Sequence, residues 1–348
     1  MKTVLVISIL GLIGFAYRQN VNTVSHKTIN KEQKIFKSED DGKSWADITG
    51  NLPFDFDLND VSVGNNGITL GASRAKVWVS SNSNSDKWSE VELKSLDIFL
   101  DHNVNYMVTS IFETNTGTYA YISHDNLYFR QIGSNIWSPI KAPIGIYSVN
   151  DLVEKENGKI YISTDAGIYF TSDNGEAWDL LFNDGYALDM INLGGKILFS
   201  AKYGLYQLDQ SNNSWSTIMV NNPLENLGYI DEDVLINLYQ MEGEIFAYKN
   251  IFTRNQPAVR ELYESKDQGK TWTKHKYNES ISSLGRIDSI LKKNGKLYIA
   301  CVKGIYVSED NGNHWTQLMD NDDESGRTTM KLFYQDGEFY GVKVAGGC

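Results

Sequence analysis

Aspartates recur at matched places along this chain, and they are the residues nearest to chemistry. Asp60, Asp97, Asp151, Asp189 and Asp288 each lie seven or eight residues back from the end of a hairpin signal, with Asn237 and Thr329 in the corresponding places of two further units. Three roles suit such a set. Two carboxylates facing each other across a suitable gap, one of them held protonated, hydrolyse glycosides by acid/base chemistry. A ring of carboxylate oxygens holds a hard cation or a water cluster. The same groups also bond to the backbone of a neighbouring unit, with no ligand involved. Arg74, Arg286 and Arg327 add a second pattern, because guanidinium groups grip a carboxylate or an anionic sugar through paired hydrogen bonds. Their competing partners are Asp322, Asp323 and Glu324. Arg254 and Arg260, with Phe252, fall in the stretch Lys249 to Arg260, and Tyr147, Tyr186 and Tyr229 could stack on a sugar or pack internally. The five His residues show no ligand spacing, and no nucleophile elbow, P-loop or paired-Cys zinc pattern is present, so neither metal nor cofactor is expected.

A Trp-ended repeat supplies the scaffold for these side chains. Ser38, Asp40, Gly42 and Trp45 form a Ser-x-Asp-x-Gly-x-x-Trp box, as do Ser265, Asp267, Gly269 and Trp272, and again Ser308, Asp310, Gly312 and Trp315. A fourth box, with Thr171 for Ser, runs through Asp173 and Gly175 to Trp178. Worn copies end at Trp88, Trp137 and Trp215, so seven Trp residues stand 37 to 57 residues apart. A second marker keeps the register: Phe36, Tyr128, Tyr169, Tyr206, Tyr263 and Tyr306 each precede a box Trp by nine residues, and Trp78 precedes Trp88 by ten. Within a box the carboxylate and hydroxyl bond turn backbone, Gly takes a conformation that larger residues resist, and Trp packs between strands. A calcium loop would need more acidic ligands and a distal Glu.

The best-preserved unit predicts its strands. Asp151 to Glu156 is the first, Asn157-Gly158-Lys159 a tight turn, and Ile160 to Thr164 the second. Ala166-Gly167 turns into Ile168 to Thr171, and the box turns into Ala177 to Phe182. Four-stranded antiparallel units at this period bury their faces by radial packing, which predicts an all-β, seven-bladed propeller. The first unit carries only its third and fourth strands, so Lys331 to Tyr334 and Phe339 to Val344 are expected to complete it and close the ring. The boxes then share one face. The blade-to-blade connections, the candidate arginines and the starts of the inner strands share the other.

On these boxes the chain resembles the Asp-box, or bacterial neuraminidase, repeat families, over essentially all of it after residue 31. The resemblance spans sialidases, xyloglucan-cleaving glycoside hydrolases, sortilin-type receptors and the photosystem II assembly factor family. It implies the propeller fold. A sialidase activity would further imply an arginine triad, a Tyr nucleophile with a Glu partner and an Asp acid/base. The Arg-Ile-Pro segment of sialidases would fall near Ile35-Phe36-Lys37, where no Arg stands. Xyloglucanases place paired acids between two propellers, and this chain has repeats for one. The seven-blade count is more similar to the assembly-factor group, or to one half of a xyloglucanase, than to the six-bladed sialidases.

Aromatics at 12%, including 20 Tyr, favour strands, and the net charge of -12 argues against a nucleic-acid partner. Lys2 followed by the apolar run Val4 to Ala16, only 13 residues, reads as a secretory signal over residues 1–16 with no membrane span after cleavage. A short segment at 17–31 then leads into one propeller domain at 32–348. Cys301 and Cys348 are allowed to pair in an oxidising compartment. The expected product is a secreted or periplasmic monomer that binds a protein or glycan through the face away from the boxes, without catalysis. The alternative is a carbohydrate-active enzyme using the aspartates and arginines of that face.

Overall fold

Inner hairpins whose residues are apolar without alternation set the architecture. In the computed structural model, β11 (Val149–Glu154), β12 (Ile160–Thr164), β13 (Gly167–Thr171) and β14 (Asp179–Phe182) pair antiparallel in sequence order. Every residue of β12 is buried, whereas half of β14 is exposed. A strand with both faces covered needs no polar side, which is why Ile160-Tyr161-Ile162 runs uninterrupted. The turn after β12 depends on Gly167, whose φ is +128° and whose absent Cβ would lie 1.8 Å from the Phe182 carbonyl oxygen.

The structure describes residues 33–345 apart from 54–55, 81–85, 94–105, 124–125, 156–157, 203, 210, 212, 221–231, 254–257, 276–283 and 324–327. The expected signal at 1–16, the segment 17–31, Asp97, Arg254, Arg327, Tyr229 and Cys348 therefore lie outside the described residues. Among the described residues there is no helix, and seven four-stranded sheets account for all the strands. The fold is a seven-bladed β-propeller.

Closure uses both ends of the chain, as the strand count predicts. The first blade orders β27 (Thr328–Gln335), β28 (Glu338–Ala345), β1 (Ile35–Ser38) and β2 (Ala46–Asp47) outward from the axis, with Ile35 opposite Val342 and Ser38 opposite Phe339. The core is divided among the seams between blades. At one seam Phe182, Phe199, Tyr206 and Trp215 pack with ring centroids 5.1 to 5.5 Å apart. Aromatic pairs at these separations add to the burial of their large surfaces.

Each full box closes on itself. Ser38 Oγ donates to Asp40 Oδ1 and accepts the Gly42 N–H, both at 2.9 Å, and the Asp40 carboxylate accepts the Ser44 N–H and hydroxyl. The Trp45 indole donates to the Gly42 carbonyl. Ser265 to Trp272 and Ser308 to Trp315 repeat the set, with Asp267 and Asp310 in the place of Asp40. The hydrogen bond from the Ser44 hydroxyl is the largest cause holding Asp40 at about 2, and Thr271 and His314 act likewise on Asp267 and Asp310. In the fourth box Thr171, Asp173 and Gly175 keep the turn, but Trp178 donates to Lys141 O in the preceding connection. The boxes thus use their own polar groups to hold turns.

Candidate functional site

The candidate aspartates start from a local irregularity. Five inner strands carry a register shift near their start, at Leu58/Asp60, Val108/Ser110, Val149/Asp151, Ala187/Met190 and Ile287/Ser289. Such a bulge re-aims the following side chain. Asp60 Oδ2 accepts the N–H of Ile111 at 2.8 Å, Asp151 Oδ2 that of Met190 at 2.7 Å, and Asp189 Oδ2 that of Leu238 at 2.8 Å. In each case the donor belongs to the inner strand of the next blade. Ser289 Oγ likewise accepts the N–H of Leu332 at 3.0 Å, and Ser110 donates to the Val149 carbonyl at 2.6 Å.

These bonds define the ring that the sequence count only approximates. Its members are Asp60, Ser110, Asp151, Asp189, Asn237, Ser289 and Lys331. Three assignments need correction. The inner strand of the third blade is β7 (Val108–Glu113), whose hairpin is Thr114 to Gly117, so Ser110 and not Asp97 holds the place. In β23 (Ile287–Lys293) the residue opposite Ala300, matching Asp60 opposite Gly71, is Ser289, and Asp288 sits within the bulge. The unbulged β27 puts Lys331, not Thr329, opposite Val342. A sequence signal does mark all seven, since each is followed by an aliphatic residue or Met: Val61, Ile111, Leu152, Met190, Leu238, Ile290 and Leu332.

The ring is electrostatically lopsided. On one side Lys331 Nζ contacts Asp60 Oδ1 at 2.8 Å, and Arg286 grips Asp288 Oδ1 through two nitrogens at 2.9 and 2.8 Å while Thr329 donates to the other oxygen. Burial alone would lower the Lys331 ammonium, but the charge and hydrogen bond of Asp60 outweigh it and hold the group above its ordinary value. On the other side Asp151 and Asp189 have no cationic partner among the described residues. Burial, then repulsion from Asp189, raises the Asp151 carboxyl well above its ordinary range, and burial raises Asp189 despite the donors Leu238 and Asn237. Both are surrounded by protein yet only half-buried, as groups facing an axial channel are. Among the described residues no cluster of three metal-ligating side chains forms.

On the connection face Arg74 is exposed in the turn after β4 (Gly67–Ala72), with φ +62°. Arg286 is engaged by Asp288 two residues along, and Arg327 lies outside the described residues. The Tyr186 hydroxyl reaches the Val234 carbonyl at 3.4 Å, a packing role. Tyr147 is 66% exposed, and near it stands a residue that sequence reasoning missed, Ile144 at 91%. Asp165 Oδ1 accepts the N–H groups of both Tyr147 and Ser148, fixing this connection. The sixth blade overhangs the same face on β19 (Glu232–Met241), β20 (Glu244–Thr253) and β21 (Val259–Ser265), with Phe252 and Val259 exposed.

No protein family and no curated protein matches the chain. Solved structures do. YCF48 from Cyanidioschyzon merolae is 13% identical, with a TM-score of 0.57 over 84% of this chain and 97% of that one. A structure of YCF48 bound to D1 peptide is 15% identical, with a TM-score of 0.54 over 84% and 94%. The GH74 enzyme of Niastella koreensis is 14% identical with a TM-score of 0.52, matching 82% of this chain but 43% of its own. At these identities the likeness is one of fold.

Proposed function

We propose that the ring is a docking scaffold that takes a segment of a partner protein across its connection face without catalysis. The observation carrying this reading is the pair Ile144 and Tyr147, 91% and 66% exposed on a single short connection. Large apolar and aromatic side chains concentrate binding energy at protein contacts. The two bonds from Asp165 hold their backbone in place, which lowers the ordering cost of binding. The YCF48 structure with a bound D1 peptide supports pairing of this fold with a peptide. Residues 1–16 complete the proposal as an export signal, so that the working protein is a secreted or periplasmic monomer.

The test is a selection of displayed peptides on the immobilised protein, followed by affinity measurements on Ile144→Asp and Tyr147→Ser. Both substitutions should weaken selected peptides about tenfold or more, as loss of an interface anchor does. Ile136→Asp, on the box face, should leave them unchanged.

One observation favours a hydrolase as the second reading. Asp151 and Asp189 are both raised, as a general acid must be, although each already accepts a backbone N–H. Turnover of any member of a glycoside panel, abolished by Asp151→Asn or Arg286→Ala, would establish that reading instead.

A further inference from the structure

Where the ring closes, the seventh and first blades leave a cavity of about 290 Å³ on the connection face. Its lining departs from the matching place in most of the other blades. Opposite the inner-strand residue at the bulge, five blades place Ala72, Ile122, Thr164, Ala201 and Cys301 on the second strand, all buried and none charged. In the first blade Lys343 stands opposite Met330 and is 7% exposed. The sixth blade also has a lysine there, Lys249, but its neighbour on the third strand is Glu261. The corresponding neighbour of Lys343 is Lys34, whose carbonyl accepts the Lys343 N–H at 2.8 Å.

A buried ammonium beside a like charge requires compensation. Lys343 Nζ donates to the Asn321 carbonyl at 2.6 Å, and among the described residues no carboxylate lies within the 4.0 Å of an ion pair. Lys34 is only loosely paired, with Asp47 at 3.7 Å. Both lysines line the cavity, Lys343 buried and Lys34 exposed, so together they give it a positive side. Asp320 and Asp322 line it from the exposed rim, and Phe36 and Met330 supply apolar wall.

We infer that this closure cavity binds a small zwitterion of the α-amino-acid class. The carboxylate meets Lys343 and Lys34, the ammonium meets Asp320 and Asp322, and the side chain lies against Phe36 and Met330. The volume sits at the lower end of small-ligand pockets, about 300 Å³, which suits a molecule of that size. The site is separate from Ile144 and Tyr147 and stands or falls independently of the docking role.

Calorimetric titration of the whole protein with glycine, alanine, valine, acetate and ethylamine tests this directly. At least one amino acid should saturate, more tightly than either acetate or ethylamine. Lys343→Met should weaken it about tenfold or more, the effect of losing a charge-assisted hydrogen bond. Asp320→Asn with Asp322→Asn should weaken the amino acid but not acetate. On the unsubstituted protein, the Met330 methyl resonance should shift as the same ligand is added, a readout that holds whether or not Lys343→Met folds. No saturable binding, acetate binding as tightly as the amino acids, or a Met330 signal that stays fixed would overturn the proposal.

Discussion

The Asp151 carboxylate accepts the N–H of Met190 at 2.7 Å, and so ties the inner strand of one blade to that of the next. Asp60 does the same to Ile111, and Asp189 to Leu238. An acidic ring at the axis of a propeller invites a catalytic reading. Here three of its carboxylates form a belt between blades.

The belt makes stability depend on pH with a definite sign. Burial raises both Asp151 and Asp189, and the charge of Asp189 raises Asp151 further, above the ordinary value of about 3.9. The folded chain therefore keeps protons that the unfolded chain releases. The contribution of this pair is complete below pH about 3.9 and declines as pH rises toward neutrality. Asp151→Asn keeps an oxygen acceptor for Met190 and removes the titration. Urea unfolding should show the variant gaining on the parent between pH 5 and pH 8, whereas an equal difference at both values would count against the assignment.

The paired side of the ring should behave differently. Lys331→Met leaves Asp60 Oδ1 without its cation, at a cost of about 1–3 kcal/mol for a partly exposed, charge-assisted bond. Adding Asp60→Asn should return part of that loss. A double-mutant cycle from chemical denaturation measures the coupling, and strict additivity would show that the two side chains do not interact.

Gly167 tests the blade turns. With φ at +128° and the Phe182 carbonyl oxygen 1.8 Å from where a Cβ would sit, Gly167→Ala should cost about 2 kcal/mol or more. Gly158→Ala, in a turn where a Cβ meets nothing within 4 Å, carries only the strain of φ +77° and should cost less. Thermal unfolding of the two variants side by side decides it.

Much of the fold was legible because its signals are local. The box Trp and the aromatic nine residues before it fix where the third and fourth strands meet, and Asn157-Gly158-Lys159 marks the first hairpin of the fourth blade. Ring closure by Lys331 to Tyr334 and Phe339 to Val344 followed from an incomplete first unit, and the strands found are only longer, Thr328–Gln335 and Glu338–Ala345. The site was less legible, because a count of seven or eight residues leaves two neighbouring positions open. Asp288 and Ser289 are such neighbours, and the pairing of Ser289 with Ala300, a tertiary fact, decides between them. Lys331 was passed over because a search for acids does not see a lysine, although Leu332 after it carries the aliphatic marker. Exposure is a tertiary property, so nothing in the sequence separates Ile144 from the buried Ile146 two residues on.

The most direct measurement is the affinity of a peptide selected on the whole protein, compared among the parent, Ile144→Asp and Ile136→Asp. Docking on the connection face predicts about tenfold or greater weakening in Ile144→Asp and parental affinity in Ile136→Asp. Equal affinity for all three, or weakening confined to Ile136→Asp, would contradict it.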